Sequence, residues 1–68
     1  MTQREKVTIA VAWFNLVEDK VATTETVDHL LRQKTESQLE WMRDHMIKNY
    51  SNEQMIQAAE KFSGSKVY

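Results

Sequence analysis

The stretch Val7–Ala22, VTIAVAWFNLVEDKVA, decides the fold. At ~100° per residue, Val7, Ala10, Phe14, Val17 and Val21 line one seam of a helix, and Val11 widens it. Ile9, Trp13 and Leu16 form a second seam alongside. Together the two cover roughly 220° of the circumference, against the ~100° stripe of an ordinary surface helix. Thr8, Asn15, Glu18, Asp19 and Lys20 are left for water. A helix apolar on two faces needs two neighbours. The expected fold class is therefore all-α: a small bundle of three to four helices with a central apolar N-terminal helix, completed by dimerisation. The dimer interface is expected at Val7, Ala10, Trp13, Phe14, Val17 and Val21.

A chain of 68 residues reads as one complete helical domain over 1–68. A core of this size leaves only ~3–5 kcal/mol of net stability, and small domains usually add a staple. The chain has no cysteine, so disulfides and thiolate metal sites are excluded. Self-association is the staple that remains. With no cysteine, no cleavable leader pattern and no apolar run long enough for a bilayer, we expect a cytoplasmic protein without a membrane partner. The net charge is −1, from nine basic and ten acidic residues. No segment carries the basic stripe of a chain bound chiefly to phosphates.

Proline is absent and the single glycine is Gly64, which favours helices joined by short polar links. Thr2 and Glu5 form a capping box that starts a helix over about 3–21. Thr23 or Thr24 can cap a second over 25–33, with Glu25 and Asp28 in its first turn. Leu39, Met42, Met46 and Tyr50 form a stripe whose phase disagrees with that of Val27, Leu30 and Leu31. A break near Lys34 or Thr35, with Thr35–Gln38 capping a helix over 36–49, is preferred to the alternative of one continuous helix over 26–49 that serves two different neighbours. Ser51 and Gln54 cap a last helix over 52–62, where Met55, Ala59 and Phe62 share a face. Ser63–Gly64 should stop it, leaving 63–68 as a loose tail.

Chemistry has little to stand on. Glu36, Glu40 and Asp44 share a helix face, but Glu40–Arg43 and Asp44–Lys48 account for them as surface ion pairs. Glu25 similarly accounts for His29. Asp44–His45 lacks the spacing of a zinc-binding helix, and no glycine-rich phosphate loop or nucleophile elbow is present. We therefore expect no enzyme, no cofactor and no metal. Met42, Met46 and Met55 stand at core spacing. Trp41 points away from the apolar stripe, on a face with Gln38, His45 and Lys48; either another helix or a second subunit covers it, or those four residues are the candidate surface for a partner protein.

Two functions follow. The favoured one is a small regulatory protein acting by protein–protein interaction, as adaptor, inhibitor or assembly factor. The alternative is a small helix-turn-helix-like DNA-binding regulator, with Lys34–Gln38 contacting the duplex. Against it, Glu36, Glu40 and Asp44 would face phosphate. Near the end, Ala59, Ser63–Gly64–Ser65 and Tyr68 are similar to the opening of such a motif, but too few residues follow to complete it.

Overall fold

A computed structural model describes residues 1–60 and Phe62. Helix α1 spans Gln3–Ala12 and continues into a π-helical segment, Trp13–Val17. Helices α2 (Thr24–Gln33), α3 (Glu36–Asn49) and α4 (Asn52–Glu60) complete an all-helical bundle. The expected 63–68 tail and the Ser63–Gly64 cap lie outside the described residues.

Each helix starts where a side chain satisfies amides that the helix itself leaves open. Thr2 Oγ1 accepts from the Glu5 N–H at 3.1 Å, and Glu5 reaches back to the Thr2 N–H at 3.4 Å. At α2, Thr23 is the cap, and its reciprocal partner is Thr26 rather than an acid. Thr35 with Gln38, and Ser51 with Gln54, repeat the device at α3 and α4. The break near Lys34 follows from Thr35: its extended backbone (φ −76°, ψ 166°) ends one helix and opens the next.

Helix α1 is the centre. Ile9, Ala10, Val11 and Ala12 are consecutive and all buried, so no face of that turn meets water. Its neighbours are α2, α3 and α4 of the same chain. Leu39, Met42 and Met46 from α3, Val27 and Leu30 from α2, and Met55 and Ala58 from α4 close the core around it. Of the residues expected at a dimer interface, Val7 and Ala10 are buried in the chain's own core, where helices of the same chain cover the first helix.

The first helix also ends earlier than expected. From Trp13 its hydrogen bonds lengthen to five residues, the Glu18 N–H donating to the Trp13 carbonyl at 3.1 Å. Each turn then holds an extra residue, and the side chains slip out of α-helical phase. Trp13, Phe14, Asn15, Leu16 and Val17 are in consequence all partly buried and none fully. Val21 falls beyond the helix and is 83% exposed, so it does not continue the seam of Phe14 and Val17. Asn15, expected in water, instead donates from Nδ2 to the Ala58 carbonyl at 3.4 Å. Tyr50 Oη–H donates to the Leu16 carbonyl at 2.9 Å, which secures an acceptor near the end of the π segment.

Asp19 stops the helix. It adopts φ 54°, and the reversal brings the Lys20 N–H to the Phe14 carbonyl at 2.8 Å. Left-handed backbone is costly for any residue with a Cβ, though less so for aspartate than for most. Asp19→Gly should therefore stabilise the protein by ~0.5–1 kcal/mol, read as a higher urea midpoint with an unchanged slope. A lower midpoint would mean that the Asp19 carboxylate matters more than the backbone geometry.

Candidate functional site

On α3 the burial of Leu39, Met42 and Met46 turns Trp41 and His45 toward the opposite side of the helix. They lie one helical turn apart, so their rings meet. The centroids are 5.3 Å apart and the planes 13° from parallel. Trp13, carried by the π segment, packs obliquely on both rings, at 6.2 Å from Trp41 and 5.8 Å from His45. Aromatic pairs of this kind contribute ~0.5–1.5 kcal/mol beyond the area they bury. Trp41 thus has support on one side and remains 62% exposed.

Beside this cluster lies a groove of about 570 Å³ between the π segment, α2 and α3. Phe14, Leu30 and Met42 give it an apolar lining, with Trp13 and Trp41 alongside. The polar lining comes from Glu18, from His29 and Gln33 of α2, from Lys34 at its C-terminal cap, and from Gln38 of α3. Apolar walls with a few polar groups, in a volume of this order, are the usual composition of a ligand or side-chain pocket. The π segment is what brings two aromatic residues and Glu18 to one side.

Of the four residues expected to face a partner, the structure groups three. Gln38 and Trp41 line the groove, and His45 stacks against Trp41. Lys48 is exposed and is not part of the groove lining. Among the expected dimer residues, Trp13 and Phe14 line the same groove. Trp13 and the α2 residues were missed as part of this site.

The acidic face of α3 behaves differently from expectation. Arg43 pairs with neighbouring Asp44 at 3.5 Å, and neither Glu40–Arg43 nor Asp44–Lys48 is among the ion pairs of the described residues. The Glu25–His29 pair is likewise not among them. Exposed pairs contribute only ~0.3–0.5 kcal/mol, too little to hold long side chains out of water. Glu36 instead meets the N-terminal ammonium of Met1, whose hydrogen bond and charge hold its carboxyl below the usual range. Among the described residues no three His, Cys, Asp or Glu side chains are grouped to hold a metal ion.

A second concavity, about 370 Å³, lies on another side of the π segment against α4. Asn15, Gln54 and Gln57 line it together with one carboxylate, Asp19. It brings together no acid–base pair. No described helix is long and apolar enough to cross a membrane. Comparison of the chain with protein families, with characterised proteins and with solved structures finds no match.

Proposed function

We propose that this protein is a small regulatory module that works without catalysis, by binding another protein through the aromatic groove, with Trp41 as the anchor. The supporting observation is that Trp41 stacks on His45 and packs obliquely against Trp13 yet leaves 62% of its surface in water. A large ring that is already held in place loses little freedom when a partner covers it, which is the property of residues that dominate interfaces.

The test is co-purification from the native host, with the captured protein identified by mass spectrometry. The wild-type chain should recover a partner that Trp41→Ala does not, with a loss of at least ~2 kcal/mol in affinity. Ile47→Ala is the control, since Ile47 is equally exposed on α3 and outside the groove lining. Trp41→Ala should also cost ~0.5–1.5 kcal/mol of stability through the lost ring contacts, too little to unfold the domain. Recovery of the same partner by Trp41→Ala would overturn the proposal. Light scattering on the purified protein separates a second copy from a different partner: a mass near 8.0 kDa leaves the groove for another protein, and a doubled mass abolished by Trp41→Ala makes the second copy the partner.

The DNA-binding alternative starts from the two-residue link between α2 and α3. It places Glu36 and Glu40 at the duplex, on the exposed N-terminal half of α3. Tight binding to random duplex DNA, with a steep salt dependence, would favour it over the groove.

A further inference from the structure

The polar lining of the groove holds one side chain of each charge. Its charged side chains are Glu18 and Lys34, with His29 the third ionisable group. Glu18 lies 3.8 Å from the Lys20 ammonium, so its charge is answered within the chain. Lys34 has no ion-pair partner among the described residues. It stands at the C-terminal cap of α2, separated only by Thr35 from the start of α3. Gln38 is in the first turn of α3, close to it in the chain.

The α3 cap decides which way the Gln38 amide faces. Its Oε1 accepts the Thr35 N–H at 2.8 Å, so the Nε2 hydrogens are the groups left for an occupant. Lys34 and Gln38 therefore present donors at adjoining helix ends. Carboxylate is the group that answers an ammonium and an amide N–H together. The remaining lining, Trp13, Phe14, Trp41 and Met42, accepts a bulky apolar side chain.

We propose that the groove receives an acidic peptide segment of its partner. A large aromatic or aliphatic side chain lies against Trp13 and Trp41, and an Asp or Glu carboxylate meets Lys34 and the Gln38 amide. The proposal rests on the protein-binding reading above and specifies the chemistry of the partner. The unanswered charge of Lys34 selects an acidic segment over a neutral or basic one.

The experiment is selection from a random peptide display library on the wild-type protein, with Trp41→Ala and Lys34→Glu in parallel. Lys34 is exposed, so the charge reversal should fold, which circular dichroism verifies. On the wild type, enriched peptides should join an aromatic or large aliphatic residue to nearby Asp or Glu. Their affinity should fall about tenfold or more in Lys34→Glu, should fall less in Lys34→Gln, and should vanish in Trp41→Ala. Enrichment of neutral or basic peptides, binding indifferent to Lys34, or no enrichment above the Trp41→Ala background would each overturn it. Failure here is distinct from failure of the broader reading. A Trp41-dependent native partner with no acidic preference removes only the charge inference, whereas acidic peptides without any Trp41-dependent native partner remove only the cellular role.

Discussion

Met46→Ala is expected to leave a chain that is largely unfolded at room temperature. Met46 is completely buried on α3, one of the largest fully buried side chains together with Leu39, Val11 and Val27. Truncating a buried methionine costs ~2–5 kcal/mol, because the transfer energy of the lost atoms adds to that of the cavity left behind. A single core of this size leaves only ~3–5 kcal/mol in the first place. The substitution therefore removes most or all of the net stability. Helicity by far-UV circular dichroism, followed through a urea titration, measures it. A variant that keeps wild-type helicity and midpoint would mean that α3 does not pack on α1 through this stripe.

Trp13→Ala is the second large effect, and it is expected to act on stability and binding together. A fully buried tryptophan costs ~3–5 kcal/mol on truncation; Trp13 is only partly buried, which places it nearer ~2–3 kcal/mol. Part of that is its contact with Trp41 and His45. A double-mutant cycle with Trp41→Ala isolates the ring–ring contribution, expected at ~0.5–1.5 kcal/mol. Because Trp13 also lines the groove, partner affinity should fall even at temperatures where the variant stays folded. Additive stabilities, with no coupling between the two tryptophans, would show that the aromatic cluster is not a mechanical unit and that Trp41 is not held in place by its neighbours.

Much of the site was legible in the sequence because α3 is regular. Once Leu39, Met42 and Met46 are assigned to the core, a fixed ~100° step places Trp41 and His45 on the other side. What that step cannot supply is the neighbour across the gap. Trp13 is 28 positions before Trp41 in the chain, and no local pattern pairs them. The α2 side of the groove was missed for the same reason. His29 reads locally as a surface residue and Lys34 as part of a polar segment facing a duplex, and only the placing of α2 beside the π segment turns them into groove lining.

Local sequence is enough to mark where each helix begins, to within a residue at α2, and which face of α3 is buried. Thr2, Thr23, Thr35 and Ser51 act within three residues of themselves, so their hydrogen bonds need no tertiary partner. The tertiary structure decided the course of the first helix beyond Ala12 and the identity of the neighbours covering it. Over Trp13–Val17 an α-helix and a π-helix both satisfy the backbone, and periodicity assumes the first. The contacts that distinguish them are remote: Tyr50 to the Leu16 carbonyl, Asn15 to the Ala58 carbonyl, and Trp13 against Trp41. The two apolar faces of α1 carried the demand for neighbours. The neighbours that meet it are α2, α3 and α4 of the same chain, with small Ala58 buried where α4 joins the core.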